Sequence, residues 1–233
     1  MIIDIHIHMA GTGSESGCYM SDYLKMTPAY LIMLITTNMI FKKVNDKTIR
    51  QHHLKILEDS KLDRGVFLAM DEAYNSKGEK MTTHLYTPND YVAEIAKKEK
   101  KVLFGASVHP DRKDAINEME KVVENGAALM KWIPSSQNIN PEKKKYNSFY
   151  KKLADLEIPL LCHVGAEHTI PEPNPLLKSR YHKLNNPANI IQALECGVKV
   201  IAAHCCTPVF FLDTVLFKDY FKNFLSLMKK SIK

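Results

Sequence analysis

The sequence predicts an α/β fold built on a parallel sheet, and three observations carry that expectation. Six short runs rich in Ile, Val, Leu and Phe recur at residues 2–8, 65–70, 102–108, 127–133, 158–163 and 198–204. Their apolarity is continuous rather than alternating, which suits strands covered on both faces. Helix-like stretches separate most of them, so strand and helix alternate along the chain with short connections.

Taken in order, the first run, residues 2–8, is followed by an amphipathic stretch at 46–60. That stretch turns Ile49, His53, Leu54, Ile56 and Leu57 towards one side and opens at Asp46, a plausible N-cap. The runs at 65–70, 102–108, 127–133 and 158–163 precede helix-like stretches at 88–98, 111–125, 141–156 and 187–196, each opening near a Pro or Asp. Gly126 and Gly197 follow the last turns of two of these, where a positive φ is wanted. After the sixth run, Leu212, Leu216, Tyr220, Phe224 and Met228, flanked by Phe217, Phe221 and Leu225, mark one amphipathic helix over residues 212–230. No composition break divides the chain, so a single domain is expected over residues 1–233. A closed (β/α)8 barrel has eight strands and takes ~250 residues; six candidates predict an incomplete barrel lacking its final strands.

Bulk composition narrows the functional classes. Hydrophobic residues make up 45% and charged residues 25%, ordinary for a soluble globular chain. The net charge of +6 comes with dispersed lysine runs at 97–101, 143–145 and 229–230, which read as solvated helix faces rather than a nucleic-acid surface. Five cysteines, Cys18, Cys162, Cys196, Cys205 and Cys206, form no CxxC pair and suit a reducing, cytoplasmic setting. The opening MIIDIHIH shows no secretory signal. The longest apolar stretch, residues 30–41, is broken by Thr36, Thr37 and Asn38 and falls short of the ~20 residues that span a bilayer.

The chemistry concentrates at strand ends. His6 and His8 stand two apart on the first strand, so both imidazoles point to the same face. Two converging neutral imidazoles suit a divalent transition metal. His163 and His204 end two further runs, and active sites of parallel α/β folds gather at the carboxyl ends of strands. A lone histidine is more often a satisfied core or surface residue; three strands delivering histidine to one rim is a different matter.

In Asp4-Ile-His-Ile-His8, Gly105-Ala-Ser-Val-His-Pro110, Lys131-Trp-Ile-Pro134, His163-Val-Gly165 and Ala202-Ala-His-Cys205, the chain resembles the amidohydrolase superfamily. The resemblance is to its branch of compact metal-dependent hydrolases and decarboxylases, and runs from residue 2 to about residue 208. It implies a (β/α)8 TIM barrel, here of about six β/α units, with His6, His8 and His163 ligating a divalent metal, usually zinc. His204 would complete the metal site or act as an acid/base residue beside it. Lys131 would be carboxylated and bridge two metals, or hold an anionic substrate group over a single ion; the bland alternative is a snorkelling lysine. His109 would face substrate or serve a rigid turn, and Asp4 would orient a ligand histidine.

The function so implied is hydrolysis of a C–N or C–O bond in a small molecule by a metal-activated water. Two alternatives stand beside it: decarboxylation of a small carboxylic acid, and a catalytically inactive, C-terminally truncated relative. The family's aspartate at the end of the eighth strand has no counterpart, since only Asp213 and Asp219 follow His204 and both lie in or next to the final helix. Two unpaired sheet edges would follow from six strands, and dimerisation would cover both. The Pro-rich loop at 164–186, with His168 and His182, is expected to face substrate. His52 and His53 read as surface or packing residues.

Overall fold

All six apolar runs form strands of one sheet in the computed structural model, which describes residues 1–13, 15–208 and 213–231. β1 (Ile3–His8), β3 (Arg64–Leu68), β5 (Val102–Ala106), β6 (Ala127–Trp132), β7 (Leu160–His163) and β8 (Val200–Ala203) pair in that order, each parallel to its neighbour. A short antiparallel pair, β2 (Tyr19–Met20) and β4 (Leu85–Tyr86), stands apart. Six strands curl into a half-barrel rather than the closed ring of eight. β1 and β8 are its edges and are mostly half-buried, whereas β3, β5, β6 and β7 are almost wholly buried.

The helices are α1 (Asp22–Lys25), α2 (Pro28–Thr36), α3 (Asp46–Asp59), α4 (Asn89–Lys98), α5 (Ala115–Glu124), α6 (Pro134–Gln137), α7 (Asn147–Asp155), α8 (Lys178–His182), α9 (Ile191–Glu195) and α10 (Asp213–Ser231). Val92 and Ile95 of α4, Met119 and Val122 of α5, and Phe149 and Leu153 of α7 join one core with Phe67, Phe104 and Trp132 of the sheet. A second cluster, Val66, Leu68, Leu129, Leu161 and Ala203, comes from the alternate positions of the strands. Neighbouring residues of a strand thus enter different cores, which is why the runs read as continuously apolar.

Several boundaries differ from expectation for local reasons. The stretch at 111–125 becomes helical only at Ala115, and those at 141–156 and 187–196 begin as single 3-10 turns, Lys144–Tyr146 and Pro187–Ile190. Gly126 and Gly197 adopt φ of +87° and +86°, as their positions after helices require. Among the described side chains of α10 the buried apolar residues are Tyr220 and Leu227, with Phe224 half-buried, while Met228 is 44% exposed. A strict spacing of four drifts around a helix of 3.6 residues per turn, and the step from Phe224 to Leu227 restores the stripe. Leu212 lies outside the described residues, as do the side chains of Leu216 and Phe217.

Asp46 is not the N-cap of α3. Asn45 is, in a capping box: Thr48 donates its backbone N–H to Asn45 Oδ1 at 2.9 Å, and Asn45 donates its own to Thr48 Oγ1 at 3.0 Å. Asp46, one residue on, turns its buried carboxylate to the loop after β1. There it accepts the backbone N–H groups of Thr12, Gly13, Glu15 and Ser16. Burial alone would raise this carboxyl; the donors from Glu15, Ser16 and Thr12 outweigh it and hold Asp46 well below the usual carboxylate range.

Replacing Asp46 with Asn is therefore expected to lower stability by about 1–3 kcal/mol in urea unfolding at neutral pH. Because the folded carboxyl lies below its unfolded value of ~3.9, its contribution is present above that pH and lost as pH falls through the folded value. The difference between Asp46→Asn and the parent should accordingly shrink in strongly acidic buffer.

Candidate active site

Strand alternation stacks chemistry above the inner aliphatic cluster. On β6, Leu129 is followed two residues later by Lys131; on β7, Leu161 is followed by His163. β1 reaches the same level by an irregular path. Its register with β3 runs Asp4↔Gly65 and then Ile7↔Phe67, one extra residue in β1, a bulge of the kind that re-aims side chains beside active sites. His6 and His8 then converge, with Nε2 atoms 3.1 Å apart and ring centroids 5.0 Å apart. His204, the residue after β8, lies with its ring 4.8 Å from that of His6 and 4.7 Å from that of His163. Lys131 Nζ is 3.0 Å from His6 Nε2. Five of the six residues singled out from the sequence therefore meet.

The sixth stands elsewhere. His109 is fully buried, donates from Nε2 to the Gln137 carbonyl at 2.8 Å, and accepts the Asp111 N–H on Nδ1 at 3.0 Å. Asp4 does not orient a histidine ring: its carboxylate accepts the backbone N–H of His6 at 2.9 Å. The bulge between Asp4 and Ile7 breaks the face-sharing that a regular strand would have imposed.

Burial governs the site's protonation. It pushes His6 down to about 3, with the Lys131 charge adding to the effect, and drives His8 and His163 well below the usual histidine range. His204 is lowered for the same reasons. Lys131, itself fully buried, falls to about 8 by desolvation, opposed by Cys162 and Glu167. These shifts all favour the neutral imidazole, the form in which histidine ligates a metal, although both ring nitrogens of His163 face acceptors, Nε2 the Ala166 carbonyl at 3.3 Å and Nδ1 the Glu167 carboxylate at 3.4 Å. Two nitrogens bound at ~2.1 Å to one tetrahedral ion stand about 3.4 Å apart, so the His6–His8 approach is slightly tighter than a shared ion would set. Among the described residues, no group of three or more His, Cys, Asp or Glu side chains is arranged so that it could hold a metal ion.

Two cavities meet at these rings. The inner, of about 340 Å3, lies over His6, His8, His163 and His204, beneath α1, α2 and the start of α3. The outer, of about 730 Å3, shares His163, Glu167, Thr169, Ile170 and His204 with it and extends along the loop after β7. The inner volume is at the lower end of the ~300–1,000 Å3 of small-molecule sites.

Solved structures share this architecture. A probable 2-pyrone-4,6-dicarboxylic acid hydrolase from Acinetobacter baumannii, with citric acid bound, matches at a TM-score of 0.58 and 14% identity, over 97% of this chain and 66% of that one. A protein described as amidohydrolase II matches at 0.50 and 13%, over 97% of this chain and 74% of that one. A 5-carboxyvanillate decarboxylase from Novosphingobium aromaticivorans, with bound manganese and 3-methoxy-4-hydroxy-5-nitrobenzoic acid, matches at 0.52 and 11%, over 88% and 66%. The fold these structures share with the chain is a TIM barrel, here incomplete. Hydrolases and decarboxylases both occur among these structures, so the shared fold does not select a reaction. No family model matches the chain, and no curated protein matches it. No helix among the described residues is long and apolar enough to cross a membrane.

Three further residues around the two cavities lacked a clear sequence signal. His53, on α3, packs its ring against Phe67 and lines the inner cavity. Glu167 is buried, with Oε2 3.4 Å from His163 Nδ1 and Oε1 accepting the N–H groups of Thr169 and Ile170. Its one cue was a position four residues after His163. His168 places Nε2 3.0 Å from both carboxylate oxygens of Asp213, tying the loop after β7 to α10. The backbone is strained beside the site: His204, Cys205 and Cys206 adopt φ of 68°, 48° and 62°, three consecutive left-handed residues without a glycine.

Cys205 is exposed, so Cys205→Gly sacrifices little packing; it is expected to raise stability by about 0.5–1 kcal/mol in urea unfolding, the left-handed cost less the extra entropy of glycine. A second expectation concerns His109, which burial pushes down to about 4, the Gln137 carbonyl opposing it. The unfolded chain takes up this proton near ~6.5 and the folded chain only near the lowered value, so stability falls as pH drops through that window. His109→Gln should flatten the dependence of stability on pH there by about one proton.

Proposed function

We propose that this chain is a metal-dependent hydrolase acting on a C–N or C–O bond of a small molecule. The observation that supports it is the convergence of four neutral imidazoles, His6, His8, His163 and His204, at the carboxyl ends of three strands beneath a closed-in cavity. On this reading His6, His8 and His163 hold one divalent ion, and an all-nitrogen donor set favours zinc. Such an ion supplies Lewis acidity and water activated near neutral pH.

The chain's own residues would do the rest. His204 is exposed to both cavities and neutral, so it can take a proton from the attacking water and pass it to the leaving group or to solvent. Glu167 orients His163 through Nδ1. Lys131 places Nζ 3.0 Å from His6 Nε2, the nitrogen that would take the ion, so the two compete for one lone pair; its lowered basicity makes the neutral amine accessible, and carboxylation of that amine would add a second ion. Five free cysteines fit a cytoplasmic setting. Decarboxylation of a small carboxylic acid is the second reading, favoured by Lys131, whose protonated amine beside His6 would pair with a substrate carboxylate.

Elemental analysis of the purified chain should find about one divalent ion per molecule. The ion should be lost in the His6→Ala/His8→Ala double variant, together with chelator-sensitive turnover of esters, amides or lactones. Folded parent protein that binds no added zinc or manganese would remove the metal-hydrolase reading. Release of CO2 from aromatic acids without ester or amide cleavage would select the decarboxylase, and bound ion without any turnover would mark an inactive relative.

A further inference from the structure

The composition of the inner cavity bears on what the site can accept. Its wall is formed by Leu24, Tyr30, Met33, Leu34, Met39 and Ile170, among other apolar residues, with Thr37 and Thr169 as uncharged polar members and the histidines and Glu167 completing the lining. No lysine or arginine among the described residues lines it; Glu167 is its one charged side chain. Lys131 lies below the floor with its amine on His6, and the lysine that opens to solvent, Lys178, belongs to the outer cavity. An ionised carboxylate entering this chamber would lose its hydration without gaining a partner along the wall, a heavy penalty. An alkyl or aryl group would gain from every methylene it removes from water.

We infer that the inner cavity selects an uncharged, apolar acyl or aryl group, so that the substrate is a neutral ester, amide or lactone rather than a carboxylic acid. The scissile bond of such a substrate lies at the histidine floor, where His163, Glu167 and His204 face both chambers, and its polar remainder projects into the outer cavity beside Glu172 and Lys178. The assignment of substrate class rests on the hydrolase reading; the apolar preference of the chamber does not require bound metal.

That independence decides the experiment. The full chain, freed of metal by chelation, is loaded with the neutral fluorescent probe N-phenyl-1-naphthylamine, which is then displaced by straight-chain primary amides and by carboxylates of matched length. Amides are expected to bind about three- to four-fold more tightly for each added methylene, and each carboxylate at least ten-fold more weakly than the amide of the same length. Leu34→Arg should weaken amide binding at least ten-fold while leaving thermal unfolding almost unchanged, since α2 contributes no fully buried residue. Carboxylates binding as tightly as amides, affinity independent of chain length, or indifference to Leu34→Arg would each overturn the inference. Amide selectivity in a chain that never binds metal would preserve the chamber's preference and remove the hydrolase. Metal-dependent turnover confined to charged acids would do the reverse.

Discussion

The floor of the site depends on the two-residue alternation of the central strands, which are buried on both faces. Outward positions such as Phe67, Phe104 and Trp132 are held by the helices, and inward positions by the plug of Val66, Leu68, Leu129 and Leu161. Because that plug fills the lower half of the arc, the next inward residues, Lys131 and His163, have no route to bulk water from below. Desolvation then works in one direction on every group: it strips protons from the imidazoles and lowers the lysine. Neutral donors in a dry pocket are thus a consequence of packing, not of a special arrangement of partners.

The loops at the carboxyl ends of the strands are fixed by buried carboxylates and amides as well as by the apolar cluster of Met20, Leu24, Met70, Leu85, Ile133 and Ile170. Asp46 gathers the backbone of the loop after β1. Asp71, after β3, accepts the His109 N–H at 2.7 Å and pairs with Arg112 at 3.2 Å, yet burial still pushes its carboxyl up to about 6. Gln137 joins the same network, donating to Ser107 Oγ and the Asp71 carbonyl while its own carbonyl receives His109. Three loops, after β3, β5 and β6, are therefore locked together on one side of the rim. On the other side α2 and the segment around Met39 cover the histidines with apolar side chains. A rigid polar half and an apolar half suit a site that must hold its floor still while admitting a greasy ligand.

The parts legible in the sequence are those written by periodicity. His8, His163 and His204 could be placed together because each ends a run whose length and apolarity mark it as a strand; His6 follows from the two-residue repeat with His8, and Lys131 comes only with the family resemblance. His109 also ends such a run, but a histidine at a strand end can turn into a loop network as easily as into a cavity, and Asp71 and Gln137 decide the matter through contacts remote in sequence. Asp46 looked like a cap because the capping residue types are interchangeable by composition; only the loop at 12–16 distinguishes it from Asn45. His53 and Glu167 reach the cavity wall through tertiary placement alone, which no local pattern records.

The histidine cluster also spans the opening of the sheet. His6 and His8 belong to β1 and His204 follows β8, the two edges that do not pair with each other among the described residues. Their rings nonetheless meet at 4.8 Å, across the inner cavity rather than along a ladder. By itself that contact joins imidazoles only, with His8 Nδ1 buried and without a hydrogen-bond partner, a weak link between the ends of the arc. An ion shared by His6, His8 and His163 would instead bind β1 to β7 by bonds far stronger than any hydrogen bond available there, so its binding energy would enter directly as folding energy. The strained turn at His204, Cys205 and Cys206 brings the fourth ring to the same place, and its cost is one the native state can carry only if the contact it makes is worth keeping.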